Sequence, residues 1–514
     1  MLIPKWNNKF LANFGGGSTF HPNPNLGLGP KGVNIISPQA NFSLDAGGEF
    51  VPWPSREAIA QGDFKWHTNS LFFEQLIKSF PEVDTRKIIK NVYRHQVCTT
   101  DLSFLRDNKL KLDLVWLSHS HADHVAGVPL LLPYLSDESK IYGSPHTLDI
   151  MKKVFRDTLR HSPYVYRPIN GLIGVASTLQ KKEVLNVGAT ELAPGLTFYG
   201  GIAGHIPGAM YGIFEFKDGP IILDTGDIAS FWQPLVPGTT LIDDIKNKIV
   251  PTPNVIIGTD FTNSSRKEFS WEPTAAEFCE KVKRHLEEGR TIIIGAFENS
   301  RTQNIAESLR AFGIKPIWVD GGGRDIYEIY AKHYKWSPLY PAVPLEDIEY
   351  VTSKEQRIKM LEDKTPKVII TTAGMFDGGP IEEYLERGLE NEKFVFFITS
   401  YTAPGTKGEK LRRSKDKRSA FIKLPNQKRV AIKAKIETAG FTAHDNILLF
   451  ERLVKTIYQT NGGQRIKIFM THGTEEGKKV AAELVQSYAD CLIVSHGQTY
   501  DLQNFEEWRQ QQAA

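Results

Sequence analysis

A dense group of potential metal ligands lies between residues 119 and 124. Three histidines and one aspartate occur within six positions, in the pattern H-x-H-x-D-H: His119, His121, Asp123 and His124. Imidazole nitrogen and carboxylate oxygen are the donors that zinc and its borderline neighbours take. Alternate residues His119 and His121 can point toward one ion. Asp123 and His124 can then point toward a second ion nearby, so the spacing predicts a metal centre.

The residues before this group predict the element that positions it. Leu114–Leu117 form a short apolar run, which favours a buried strand, and residues 128–135 predict a buried helix on the far side. A strand that runs into a tight loop can hold side chains rigidly at its end. The competing interpretation, a polar loop whose histidines cap the next helix, does not account for four ligand-type side chains in six positions.

Other candidate ligands follow apolar runs further along the chain. His205 stands between glycines on a predicted tight loop, and the run Ile221–Leu223 is followed by Asp224 and Asp227. A carboxylate at the end of a hydrophobic strand can bridge two cations. We assign that bridge by position to Asp227 and keep Asp224 as a near-site alternative.

These residues resemble the signature of the metallo-β-lactamase fold, a four-layered αββα sandwich with a one- or two-metal site at one edge. Asp45, which precedes Gly47 and Gly48, is similar to that fold's first motif. The resemblance implies that Asp45 orients a metal-binding histidine, as outer carboxylates do; a plain turn aspartate is the alternative. It also implies a metal-dependent hydrolase, without identifying the substrate.

From about residue 250, predicted strands and helices alternate, which indicates a parallel sheet covered on both faces. The segments G-A-F at 295–297, T-A-G-M at 372–375 and S-Y-x-A-x-G-T-x-G at 400–408 resemble the β-CASP domain of RNA- and DNA-processing nucleases. The expected fold class is therefore α/β, a metallo-β-lactamase sandwich with an inserted α/β β-CASP domain. The expected divisions are an N-terminal arm at 1–31, the first domain at 32–245, the β-CASP domain at 246–409 and a return segment at 410–514.

The resemblance also implies the residue roles. Asp260 matches motif A, His444 matches motif B with Thr-Ala-His in place of the usual Ser-Ala-His, and His472 matches motif C. The implied cofactors are two zinc ions, with manganese as the alternative. Asp123 is expected to be a catalytic residue as well as a ligand. His444, held by Asp260, is the expected proton donor. The implied ligands of the first ion are His119, His121, His205 and Asp227, and those of the second are Asp123, His124, Asp227 and His472.

A basic stretch at residues 407–435 predicts a track for nucleic-acid phosphates. The alternative interpretation is a solvated charged surface. Single-stranded RNA is the expected partner, because a histidine at motif C is typical of the RNA-acting members. A DNA nuclease, a hydrolase of small esters and a binding subunit without chemistry are the competing functions. The candidate contacts are Lys407, Arg412, Arg413, Lys415, Thr402 and Thr406.

Composition limits the partners and the cellular compartment that are expected for the protein. The net charge of +3 at pH 7 is too small to indicate a nucleic-acid partner by itself. The three cysteines are far apart, which argues against a disulfide framework and fits a reducing cytoplasm. No window approaches the roughly 20 apolar residues of a membrane span, so no membrane partner is expected. A homodimer is the candidate assembly.

Overall fold

A computed structural model of the chain divides it into two compact units. The first unit comprises Met1–Ser230, Gly238–Glu268 and His444–Ala514, and the second comprises Phe231–Pro237 and Phe269–Ala443. The structure describes residues 9–14, 31–46, 48–52, 95–100, 102–161, 163–258, 260–263, 269–344, 346–403, 405–415, 420–424, 429–473, 475–494 and 497–504. None of the helices in these ranges is long and apolar enough to cross a membrane.

Two seven-stranded sheets form the first unit. The first sheet has, in spatial order, β26 (Thr499–Asp501), β1 (Leu11–Phe14), β2 (Val33–Ile36), β3 (Phe42–Leu44), β6 (Leu112–Trp116), β7 (Leu135–Gly143) and β8 (Lys182–Val184). The second has β25 (Ala489–Ile493), β23 (Ile466–Met470), β13 (Val255–Gly258), β12 (Ile221–Asp224), β11 (Met210–Phe216), β10 (Leu196–Ile202) and β9 (Gly188–Ala193). Two small pairs join β4 (Gly48–Pro52) to β5 (His95–Thr99) and β14 (Asp260–Phe261) to β24 (His472–Gly473).

Helices cover the outer faces of both sheets. Three-residue-per-turn helices span Val128–Tyr134 and Pro163–Ile169. The α-helices of this unit are α1 (Ser103–Asp107), α2 (Ala122–Val125), α3 (Pro145–His161), α4 (Leu172–Gln180), α5 (Leu241–Lys246), α12 (Ile447–Thr460) and α13 (Glu475–Val485).

The packing of these elements makes an αββα sandwich. Phe42 of the first sheet stacks on Phe214 of the second, with ring centroids 5.1 Å apart, and Trp116 meets the same ring edge-on at 5.5 Å. On one outer side α3 buries Phe155 in a core shared with β6, and on the other α12 buries Leu453 in a core shared with β11 and β23. The predicted α/β class and sandwich are therefore confirmed.

The second unit is built on a six-stranded sheet. Every neighbouring pair in it is parallel, as the alternation of strands and helices predicted. Its order is β17 (Ile348–Val351), β16 (Ile317–Asp320), β18 (Val368–Thr371), β15 (Thr291–Gly295), β19 (Phe394–Ile398) and β22 (Lys435–Thr438). The unit also contains a hairpin of β20 (Phe421–Lys423) and β21 (Arg429–Ala431). Its helices are α6 (Trp271–Glu287), α7 (Arg301–Ala311), α8 (Gly323–His333), α9 (Lys354–Glu362), α10 (Ile381–Gly388) and α11 (Lys407–Ser414), and a short helical turn spans Tyr334–Trp336.

Three sequence expectations need correction. The second unit extends to residue 443 instead of 409, because β22 adds the last parallel strand to its sheet. Residues 11–14 are not part of a loose arm but form β1, which pairs with β2 and β26. Residues 128–134 form a tighter helix than expected, because two prolines remove backbone donors.

Candidate metal centre

Strand ends deliver the candidate ligands. β6 ends at Trp116, and His119 follows on the loop that leads into α2, which carries Asp123 and His124. Asp227 follows β12 on a turn in which Gly226 has a φ of +55°. L side chains rarely adopt that backbone conformation, so glycine suits the turn.

The loop between β10 and β11 carries His205 and needs a glycine before it. Gly204 has a φ of +81°, and a Cβ atom there would lie 2.2 Å from the carbonyl oxygen of Ala229. The glycines noted in the sequence therefore let the backbone come close enough to present His205, which is 1% exposed.

The first group of ligand atoms is compact. His121 Nδ1 lies 3.1 Å from His119 Nε2 and 2.9 Å from His205 Nε2. Asp227 Oδ2 lies 3.6 Å from the Nε2 atoms of both His119 and His205. These spacings fit a tetrahedral ion, because bonds of about 2.0 Å place the ligand atoms roughly 3.3 Å apart.

A second group lies directly beside the first and shares one residue with it. His124 Nε2 is 3.5 Å from Asp227 Oδ1 and 3.8 Å from Asp123 Oδ2. The two oxygens of Asp227 therefore face different groups, as a bridging carboxylate requires. The backbone of His472 pairs with that of Asp260 in β24 and β14, but its side chain lies outside the described part of the chain, so its role as a ligand stays a prediction.

Outer residues hold the second group in place. Asp45 Oδ2 accepts a hydrogen bond from His124 Nδ1 at 2.8 Å, and its carboxylate also accepts from the backbone N and the Oγ of Ser118, both at 2.8 Å. This contact fixes the ring of His124 with Nε2 toward Asp123 and Asp227. The arrangement is the one that the resemblance implied for Asp45.

His444 and Asp260 form a separate pair next to the shared carboxylate. His444 Nδ1 lies 2.6 Å from Asp260 Oδ2 and 3.9 Å from Asp227 Oδ2. The side chain of His444 is 22% exposed. Two residues far apart in the sequence thus meet as expected for a proton donor and its partner.

Burial and neighbouring charges set the protonation of the histidines. Burial, followed by the neighbouring His205, lowers the pKa of His121 to about 3. Burial likewise lowers the pKa of His119 well below its usual range. These rings are therefore neutral at neutral pH, which is the form that binds a metal.

His124 behaves in the opposite way. Burial disfavours a charge on its ring, but the carboxylates of Asp227, Asp123 and Asp45 outweigh burial and raise the pKa of His124 well above its usual value. The second group therefore favours positive charge at this point, which a bound divalent cation would supply.

The structure separates the predicted nucleic-acid contacts into buried and exposed residues. Lys407 is 6% exposed, and its Nζ is 2.5 Å from Asp377 Oδ1 and 2.9 Å from Glu382 Oε1. We therefore remove Lys407 from the candidate phosphate contacts, because its charge is already neutralised inside the second unit. Arg412 and Lys415 are exposed, as predicted.

The two threonines and Arg413 have internal partners or are buried. Thr406 caps α11 by accepting a hydrogen bond from the backbone N of Glu409, and Thr402 is 2% exposed. Arg413 is exposed but pairs with the carboxylate of Glu409.

Two supporting residues, Ser118 and Lys31, were missed by the sequence interpretation. Ser118 immediately precedes His119, and Lys31 lies two residues before β2. Neither lies within a ligand-type pattern, so only the folded chain reveals that both contact Asp45.

Comparisons with known proteins agree with this geometry. A model of the metallo-beta-lactamase superfamily matches residues 80–230, and a model of the Beta-Casp domain matches residues 302–411. The chain therefore contains a metallo-β-lactamase domain, the class that the sandwich and its strand-end ligands indicate. It also contains a β-CASP domain.

Curated relatives cover most of the chain. RNase aCSPSF2 of Saccharolobus solfataricus is 26% identical over 74% of this chain and 72% of its own length. Probable RNase MJ4 of Methanocaldococcus jannaschii is 27% identical over 59% of this chain and 71% of its own. Transcription termination factor FttA of Methanosarcina mazei is 27% identical over 78% of this chain, which spans 63% of that relative.

Proposed function

We propose that this protein is a metal-dependent ribonuclease that hydrolyses phosphodiester bonds of single-stranded RNA. The observation that carries the proposal is the shared carboxylate, Asp227, whose two oxygens face two adjacent groups of ligands. The names of the relatives, two of which are RNases, support RNA as the substrate.

The proposed centre holds two zinc ions, with manganese as the alternative. The first ion takes His119, His121, His205 and Asp227; the second takes Asp123, His124, Asp227 and His472. Two divalent cations bound there would polarise a phosphodiester and lower the pKa of an attacking water. Burial of His119 and His205 excludes solvent from the back of the centre, which strengthens the electrostatic contacts made there.

In the proposed reaction His444 supplies the proton that the leaving oxygen needs. Asp260 accepts a hydrogen bond from Nδ1–H, which fixes the ring and makes Nε2 the nitrogen that donates its proton to the leaving group. Although burial opposes a charge on the ring, Asp260 raises the pKa of His444 to about 9. The donor is therefore protonated at neutral pH.

The test is cleavage of a single-stranded RNA labelled at its 3′ end, with either a 5′ monophosphate or a 5′ hydroxyl, beside the matching DNA. Zinc or manganese is supplied in turn. We expect cleavage of RNA by the unchanged protein and strong loss in His121→Ala, which removes one proposed ligand. His333→Ala, on α8 of the second unit, is the matched histidine control and should cleave normally.

The pattern of products distinguishes the remaining possibilities. Stepwise shortening that depends on the monophosphate would mean a 5′-to-3′ exoribonuclease, and internal cuts regardless of the end would mean an endonuclease. Cleavage of the DNA alone, or cleavage of neither the RNA nor the DNA with metal bound, would overturn the proposal.

A further inference from the structure

The buried ammonium group of Lys31 lies behind the metal centre, between two carboxylates. Its Nζ is 2.7 Å from Asp224 Oδ1 and 3.6 Å from Asp45 Oδ2. Lys31 is 2% exposed, and both aspartates are fully buried. A buried charge is costly without partners, so this lysine and these two acids depend on each other.

Each of the two carboxylates supports a different part of the centre. Asp45 accepts a hydrogen bond from His124 Nδ1 at 2.8 Å and so sets the direction of that ring. Asp224 Oδ1 accepts from the backbone N of Gly226 at 2.9 Å, inside the turn that presents Asp227. One ammonium therefore joins the support of a histidine to the support of the shared carboxylate.

The backbone of Lys31 is tied to the same region. Its N donates to the carbonyl oxygen of Asp123 at 2.8 Å, and its own carbonyl accepts from Thr100 Oγ at 3.0 Å. Space for the ion pair also depends on β13, because a Cβ at Gly258 would lie 2.0 Å from Asp224 Oδ1 and 2.8 Å from Lys31 Nζ. The side chain and the main chain of Lys31 thus meet three segments that carry ligands or their supports.

We propose that Lys31 is a positioning residue of the metal centre: its ammonium, shared between Asp45 and Asp224, fixes His124 and Asp227 in the geometry that binds the ions. This inference rests on the proposed function, because it requires that the centre hold metal. Lys31 touches neither ion nor substrate in this role. Its effect passes through the two carboxylates.

The sign of the change in metal affinity separates positioning from a simple charge effect. A positive charge repels a nearby cation, so its removal alone would leave zinc binding unchanged or tighter. Loss of orientation acts in the other direction, since removing a support of a metal ligand typically weakens metal binding about 10- to 100-fold. Weaker binding after removal of Lys31 therefore indicates that the ligand geometry has changed.

The experiment measures zinc affinity of the full chain by competition with a chromophoric chelator, and the visible spectrum of the cobalt-loaded protein. The variants are Lys31→Met and the double variant Lys31→Met/Asp224→Asn. The double variant removes both charges of the closer pair, so neither is left buried without its partner. Its new amide oxygen can still accept a hydrogen bond from the backbone N of Gly226. We therefore expect the double variant to fold even if Lys31→Met alone does not. We expect at least about tenfold weaker binding of one zinc equivalent and an altered cobalt spectrum in every folded variant.

The matched control is Lys367→Met in the second unit. Lys367 is also buried, with its Nζ 2.8 Å from Asp363 Oδ2, but it is remote from the ligands in sequence and belongs to a different unit. Normal zinc affinity in this control, with weaker affinity in the Lys31 variants, supports the inference. Unchanged or tighter binding in a folded Lys31 variant overturns the inference alone. An unchanged protein that binds no zinc overturns the proposed function as well.

Discussion

At the scale of single residues, Asp227 is the carboxylate that faces both groups of candidate ligands. It lies within 3.6 Å of His119, His205 and His124. Burial opposes its ionisation, but His124, His119 and His444 together hold the pKa of Asp227 well below its usual range. The carboxylate is therefore ionised across neutral pH. Loss of this one side chain should disturb both groups of ligands together.

We predict that Asp227→Ala lowers the amount of metal bound per chain at both positions. The reason is that no other described carboxylate faces both groups. Metal analysis after gel filtration measures the effect, and Asp137→Ala, an exposed aspartate in β7, is the control. Full metal content in Asp227→Ala would contradict the bridging role.

His444, the proposed proton donor, leads to a prediction for the pH dependence of cleavage. A raised pKa keeps His444 protonated below about 9, so cleavage that needs this proton declines as pH rises through that value. Asp260→Asn removes the carboxylate that raises the pKa. The alkaline limb of kcat/KM in this variant should therefore move to lower pH, and a limb that stays in place would exclude Asp260 from this role.

His444→Ala is the companion variant. It should retain its metal, because His444 belongs to neither of the two proposed ligand sets, but cleave RNA slowly and without the alkaline limb. Since general acid catalysis contributes about 10²- to 10⁴-fold, a loss of that order in single-turnover rate is expected. Unchanged turnover would remove His444 from the chemistry.

At the scale of elements, α12 begins three residues after His444, the proposed proton donor. Its N-cap is Asn446, whose side chain accepts from the backbone N of Leu448 at 2.9 Å. We predict that Asn446→Ala lowers the free energy of unfolding of the first unit by about 1 kcal/mol and also slows cleavage, because the cap fixes the chain two residues from His444. Denaturant titration and turnover measure the two effects.

Ser353→Ala is the matched control for this helix start. Ser353 caps α9 of the second unit in the same way, accepting from the backbone N of Gln356 at 3.1 Å. A similar loss of stability with normal turnover is expected there. Equal effects of both caps on turnover would mean that general stability, and not the position of His444, limits the rate.

The basic residues in and just after α11 allow a test of which side chains contact RNA. Lys407→Met should destabilise the second unit by about 3 kcal/mol, as the breaking of a buried ion pair does, and leave the salt dependence of RNA binding unchanged. The double variant Arg412→Ala/Lys415→Ala should reduce the slope of log affinity against log salt by about 0.7 for each phosphate that is no longer neutralised. A reduced slope in a folded Lys407 variant would restore this lysine to the residues that bind phosphate.

Much of this element-scale organisation could be predicted, for definite reasons. β6 and β12 are largely apolar runs, and His119 and Asp227 each follow three residues after the strand ends, so both the strand and its chemistry are local in the sequence. β1 has only four residues and pairs with β26, with Leu11 opposite Asp501; no local pattern carries that information. The ion pairs of Lys31 and Lys407 were missed for the same reason, since a lysine in the sequence does not reveal which carboxylates will surround it.

At the scale of the whole molecule, the two units should respond differently to metal. The candidate ligands all belong to the first unit, and a ligand that binds only the folded form stabilises it by about 2.7 kcal/mol when present at about 100 times its Kd. We predict two calorimetric transitions, one for each unit. Zinc should raise the midpoint temperature of the transition whose midpoint Asn446→Ala lowers, and leave the other unchanged. A zinc-dependent rise in the midpoint of the transition that Ser353→Ala destabilises would contradict this assignment.

The discontinuity of the first unit has a consequence for how the protein is made. Ribosomal synthesis proceeds from the N-terminus at about 5–20 residues per second, so His119 and His205 emerge early, while His444 and the strands β23 and β25 follow only after the whole second unit. A nascent chain therefore carries the early histidines without His444, the proposed proton donor. If the protein cleaves RNA, the part of the message that encodes the whole second unit is read before the proposed catalytic centre is complete.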